Sequence, residues 1–216
     1  MEVTEVRKVR KTWYITVGSE RYRLPDAVYR ERPLSPGEEI DPDEFDQWLL
    51  LRQYRPALEY AVSLLAQRPF AEKELEVRMR RIGYRPATCE MVLYKLRING
   101  LMDDAEFAKQ FVQARANRNL GSGRILRELR QKGVDPDTAA EAMETISGDN
   151  QAAAAATMAR KGIRSAKPGE DRRKTDQRVM AMLARRGFPY PVAREAIRAA
   201  RRDAYIDDPE EDLFDD

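Results

Sequence analysis

From residue 56 onward the apolar positions recur at helical spacing, and the pattern returns three times, in register with Gly83, Gly133 and Gly187. Eight residues before each glycine stand Leu75, Ile125 and Val179; four before stand Met79, Leu129 and Leu183; one after stand Tyr84, Val134 and Phe188. Steps of four and then five put these side chains on one helix face, and a glycine followed by an apolar residue stops the helix. A further helix follows each glycine, with Pro86, Pro136 and Pro189 or Pro191 near its start, Cys89, Ala139 and Ala193 inside it, and Leu93, Met143 and Ile197 one turn on. The periods of 50 and 54 residues predict three tandem three-helix repeats, 56–102, 103–148 and 149–202, with first helices at 56–67, 104–118 and 149–161. Repeats of this size bury their faces against neighbours, so an elongated, curved molecule is expected.

Residues 1–55 have a different texture. Trp13, Ile15 and Val17 alternate with Tyr14 and Thr16, Gly18-Ser19 interrupts, and Tyr22 and Leu24 resume, which predicts a β-hairpin. Asp41-Pro42 supplies an N-cap and a proline at the first helical position, so a helix is expected over 42–54 with Phe45, Trp48, Leu49 and Leu51 turned inward. Asp103 with Glu106 forms a capping-box pattern and Asp135-Pro136 repeats the Asp-Pro signal, whereas Ala71 stands where a capping hydroxyl belongs. The predicted fold class is mainly all-α: three tandem three-helix repeats, a small N-terminal β-hairpin and helix unit over 1–55, and an acidic tail over 203–216 without fixed structure.

Composition narrows the chemistry. Histidine is absent, which excludes a Ser-His-Asp triad and any histidine metal ligand. The single cysteine, Cys89, forms no intrachain disulfide and reads as a small buried residue. No apolar run reaches membrane-spanning length, so a soluble, cytoplasmic protein is expected. The acids Glu38, Glu39, Asp41, Asp43, Glu44 and Asp46 lack the spacing of a calcium loop, and neither metal nor cofactor is expected. Gly121-Ser122-Gly123-Arg124 is too short for a phosphate loop and lacks its lysine; it reads as a loop releasing a helix, or as amides that with Arg124 hold a phosphate.

The net charge of +2 conceals a segregation. Residues 203–216 carry eight acids and no base, residues 150–202 carry fourteen bases against four acids, and residues 103–149 carry seven bases against nine acids. Arg172, Arg173, Lys174, Arg201 and Arg202 in the last repeat, and Arg124, Arg127 and Arg130 in the middle one, are therefore the candidate polyanion-contacting residues.

Three stretches carry a family resemblance: Gly100 to Ala108 (GLMDDAEFA), Arg118 with Gly121 and Arg124 to Val134 (RILRELRQKGV), and Ala57 to Leu75 (ALEYAVSLLAQRPFAEKEL). With them the chain resembles the RecX family, regulators of the RecA recombinase; YITVGSERYRL and LSPGEEI are similar to an extra hairpin region of some members. The resemblance weakens in the third repeat, where Gly162 to Gly169 reads as a long polar linker, and it departs from the family at Ala71. It implies a non-enzymatic monomer that lies in the groove of the RecA filament on single-stranded DNA, suppresses ATP hydrolysis and strand exchange, limits filament growth, and serves DNA repair and the SOS response. DNA contact would be weak and electrostatic, and the protein cytoplasmic, joining the nucleoid when filaments form.

A different class, a helix-turn-helix transcriptional regulator, also fits short helices joined by glycine turns. Its candidate recognition helices, 87–98 and 137–146, offer Lys95 and Arg97 or Glu141 and Glu144, with almost no Asn or Gln to read base edges. An enzyme acting on nucleic acid is disfavoured by the missing histidine and metal-ligand pattern.

Overall fold

The computed structural model describes residues 1–167 and 169–207. Three antiparallel strands, β1 (Val3–Val9), β2 (Thr12–Val17) and β3 (Glu20–Pro25), in that spatial order, lead into α1 (Asp26–Glu31) and α2 (Pro42–Leu65). Then come α3 (Glu72–Ile82), α4 (Pro86–Ile98), α5 (Asp104–Ala116), α6 (Ser122–Lys132), α7 (Pro136–Met143), α8 (Gly148–Arg164), α9 (Arg172–Arg185) and α10 (Tyr190–Asp207). One compact unit ends at Asp104 and a second begins at Ala105.

In the first unit the predicted hairpin is the β2–β3 pair, with Ile15 opposite Tyr22 and Trp13 opposite Leu24. It gains β1 as an edge strand, which the hydrophobic pattern did not reveal. A register irregularity between Val3 and Glu5 breaks the alternation, and Glu5, Arg7 and Val9 are exposed. The inner face of the sheet (Val3, Ile15, Val17, Tyr22, Leu24) packs on Val28, Tyr29, Leu34, Ile40, Phe45 and Leu49.

The helices expected at 42–54 and 56–67 are one helix, α2, which runs through Pro56. An interior proline removes a hydrogen bond and costs about 3 kcal/mol. What offsets that loss is a single buried stripe on both sides of it: Phe45, Leu49, Gln53, Ala57, Ala61 and Leu64. Phe45 and Leu49 belong to the sheet core, and Ala57, Ala61 and Leu64 to the core of α3 and α4. Leu51, expected inward, lies off this stripe and is exposed. Gln53, fully buried between these two groups, fastens α2 to the turn between α3 and α4: its amide donates to the Gly83 carbonyl (3.3 Å), and its oxygen accepts from the Arg85 amide (2.9 Å) and the Thr88 hydroxyl (3.2 Å).

The repeat stripes are buried as predicted. Leu75, Met79, Ile125, Leu129 and Leu183 are inaccessible and Val179 nearly so; Tyr84, Val134, Phe188, Cys89, Ala139 and Ala193 are also buried. Gly83, Gly133 and Gly187 all have left-handed backbone, and the amide after each reaches back to Met79, Leu129 and Leu183, closing the same helix-ending motif three times. The Asp41 and Asp135 carboxylates cap α2 and α7, each accepting from the two following free amides. Burial pushes the Cys89 thiol up to about 11, as for an unreactive core cysteine.

Two expectations about the last repeat change. Gly162, read as the start of a linker, is a buried residue inside α8, where a side chain would press on Val179 at 2.9 Å. The acidic tail does not begin as irregular chain at residue 203, because α10 continues to Asp207; residues 208–216 lie outside the described residues.

Candidate nucleic-acid interface

The second unit holds all eight candidate contact residues. The first turn of α9 presents Arg172, Arg173 and Lys174, all exposed, behind an Asp171 carboxylate that accepts from the Arg173 amide at 2.6 Å. Three cations at a helix N-terminus oppose the helix dipole, so local helix stability does not account for them. On α10, Arg194, Arg198 and Arg202 turn outward; Arg198 and Arg202 share Glu195, at 3.7 and 3.3 Å. The two groups meet through Arg201, which is not a free cation. Its guanidinium holds Asp176 of α9 at 2.9 Å and reaches the Arg172 carbonyl at 3.5 Å, so it fastens α10 to α9.

On α6, Arg127 and Arg130 are exposed, whereas Arg124 pairs with Glu128 one turn on at 2.9 Å. The phosphate loop suggested by Gly121-Ser122-Gly123 is not available, because the fold occupies its amides. Gly121 N–H donates to the Arg186 carbonyl (2.9 Å), Gly123 N–H to the Gly187 carbonyl (3.0 Å) and Ser122 N–H to the Gln151 side chain (2.9 Å).

These bonds mark a backbone-on-backbone contact between the start of α6 and the turn after α9. A Cβ at Gly121 would stand 2.3 Å from the Gly187 carbonyl carbon, and one at Gly187 would stand 2.3 Å from the Arg124 amide. Gly187 is thus required twice, by its left-handed φ of +87° and by this approach. Gly83 plays the same double part in the first unit, against the Arg23 carbonyl of β3.

The contact brings Arg186 to a surface hollow lined by Arg115, Arg118, Leu120, Arg124 and Glu128. Glu128 accepts from Arg115 at 2.6 Å and from Arg124 at 2.9 Å. Burial raises its pKa, but the two arginines together outweigh burial and hold it below the usual glutamate value. Charge segregation pointed to Arg186 as one base among many, but the hollow joins the stretch 115–128 to Arg186, and no local spacing signals that meeting. No group of acidic or cysteine side chains suited to a metal exists among the described residues, and none of their helices is long and apolar enough to cross a membrane.

Residues 103–143 match the second three-helix domain of RecX and residues 149–197 the third. A regulatory protein RecX of Amycolatopsis mediterranei is 33% identical over 168 residues, 76% of this chain and 91% of the relative. The chain belongs to the RecX family. Its RecX relative in Thermobifida fusca is 31% identical over 193 residues, 87% of this chain and all of that protein. A crystal structure of regulatory protein RecX superposes with a TM-score of 0.63 at 23% identity, covering 92% of this chain and 98% of the other. RecX from Lactobacillus salivarius gives 0.62 at 22% identity over 71% and 97%. The RecX fold and a place among regulatory proteins are thereby established.

Proposed function

We propose that this RecX protein is a non-catalytic regulator that binds along the RecA filament on single-stranded DNA and inhibits ATP hydrolysis, strand exchange and filament growth. It acts as a cytoplasmic monomer, and its contact with DNA alone is weak and electrostatic. The observation that carries this reading is the third repeat, fourteen bases against four acids over 150–202, with Arg172, Arg173, Lys174 and Arg202 exposed on two helices fastened together by Arg201. A rigid pair of helices with outward cations suits a regular polyanionic surface, and such association is steered by charge and weakened by salt.

The test is DNA-dependent ATP hydrolysis by the cognate RecA on preformed filaments, at concentrations of this protein that do not saturate the DNA. Inhibition is expected. Replacing Arg172, Arg173, Lys174 and Arg202 by Gln should raise the concentration needed by about tenfold, equivalent to about 1.4 kcal/mol, with helicity unchanged. Changing Arg124, Arg127 and Arg130 should also weaken it. Arg201 is left in place because its loss would loosen α10. Preformed filaments that hydrolyse ATP undisturbed would refute the filament reading, leaving only competition for bare DNA.

A further inference from the structure

The hollow at the junction of α6 with the turn after α9 gathers more positive charge than its own surroundings neutralise. Arg115 comes from α5, Arg118 from the turn after it, Arg124 from α6 and Arg186 from the end of α9, and the lining contains one carboxylate, Glu128. Glu128 is engaged by Arg115 and Arg124, so among the described residues Arg118 and Arg186 meet no acid there. The Arg186 guanidinium is held at the rim by the Arg118 carbonyl, at 3.4 Å.

The backbone beneath these arginines is fixed. Asn119 adopts the left-handed conformation (φ +54°), the Leu120 amide closes back on the Arg115 carbonyl at 3.2 Å, and Gly121 rests on Gly187 with no room for a Cβ. The backbone positions from which the four arginines reach the hollow are therefore set by the fold. Their forked donors match tetrahedral oxyanions, and an incoming anion relieves the repulsion between them. Among the described residues that line it, Leu120 is the one apolar wall and none is aromatic, so the lining offers little to a compact apolar metabolite and favours an anion. Arg127 and Arg130 continue the positive charge along α6, as a chain of phosphates would require and a single free anion would not.

We propose that this hollow holds a backbone phosphate of single-stranded nucleic acid, with Arg118 and Arg186 as the principal donors and Arg115 and Arg124, braced by Glu128, completing the cradle. The proposal rests on the filament reading and deepens it by naming the chemical group held and the residues that hold it.

The test measures binding of a fluorescent oligothymidylate to the full-length protein, without recombinase, over a range of salt concentrations. The double variant Arg118→Gln/Arg186→Gln leaves both Glu128 ion pairs in place. It should weaken binding about tenfold or more and reduce the slope of log K against log salt by about 0.7, the value for one lost phosphate contact on a single strand. A control, Arg10→Gln/Lys11→Gln on the β1–β2 turn, removes the same charge elsewhere and should leave the slope unchanged. Melting temperatures of both variants establish that they are folded. The proposal is overturned if the double variant keeps the parental slope, if the control loses as much, or if pyrophosphate raises the melting temperature while the oligonucleotide does not bind. Oligonucleotide binding through the hollow with no effect on preformed filaments would refute the filament reading alone; filament inhibition with an unchanged slope would refute the hollow alone.

Discussion

Asp104 and Gln151 each serve a helix to which they do not belong. The residues preceding α3 and α6 are Ala71 and Gly121, neither of which has a side chain able to cap. The Asp104 carboxylate instead accepts from the first amide of α3, Glu72 N–H, at 2.8 Å, and the Gln151 side chain accepts from the first amide of α6, Ser122 N–H, at 2.9 Å. Both acceptors come from near the start of the helix that opens the following repeat, so the device is itself repeated. The missing hydroxyl at Ala71 is therefore no defect, because the acceptor that replaces it lies 32 residues beyond Glu72, where no local reading of the sequence could find it. Removing an N-terminal capping acceptor costs about 0.5–2 kcal/mol, so Asp104→Ala should lower unfolding stability by about 1 kcal/mol in urea titration. Ala71→Ser should then recover part of that loss in the double variant by restoring a local acceptor; if Asp104→Ala leaves stability unchanged, the cap from a distance is energetically empty.

At the scale of the element, what the sequence discloses depends on whether the determinant is local. The stripes Leu75/Met79, Ile125/Leu129 and Val179/Leu183 were legible because burial, helix period and a terminating glycine all lie within about ten residues, and the structure buries every one. The continuity of α2 was not, since Pro56 is a strong local stop and only the two cores on either side of it keep the helix intact. Edge strand β1 carries no alternating pattern, because after Val3 every residue except the half-buried Val6 is exposed. Among the candidate site residues, Arg172, Arg173 and Lys174 lie exposed as their charge suggested, whereas the tie of Arg201 to Asp176 crosses between helices and has no local signature. The Gly121–Gly187 contact is equally non-local and can be tested without confusing sterics with backbone strain. Gly121 has an ordinary negative φ of −76°, so Gly121→Ala perturbs only the packing. It should destabilise by about 1–3 kcal/mol or more, because the clash is with backbone that has no rotamer to change. Gly148→Ala, at the start of α8 with nothing within 4 Å, should be neutral or stabilise by up to about 1 kcal/mol. Equal thermal shifts for the two variants would contradict a tight junction between α6 and the turn after α9.

For the whole molecule the governing feature is that charge is sorted along the chain rather than mixed. The eight acids of 203–216 follow directly on the fourteen bases of 150–202, and the first of them is already engaged: Asp203 on α10 pairs with Arg160 of α8 at 2.9 Å, beside Lys161 and Arg164. The remaining acids are attached to the end of α10, which is packed on α8 and α9, so they cannot diffuse far from the basic repeat whatever conformation they adopt. A tethered polyanion competes with nucleic acid for the same cations at a high effective concentration. Deleting 207–216 should therefore tighten binding to single-stranded DNA, and the gain should depend on ionic strength. It should be largest near 0.01 M salt, where the screening length is about 30 Å, and small near 0.1 M, where it is about 10 Å. The variant Arg118→Gln/Arg186→Gln should gain less from the deletion than the parent if the tail competes at the hollow, and as much as the parent if it screens only the α9 and α10 cations. Full-length and truncated proteins that bind an oligothymidylate equally at low salt would show that the acids do not compete with DNA at all.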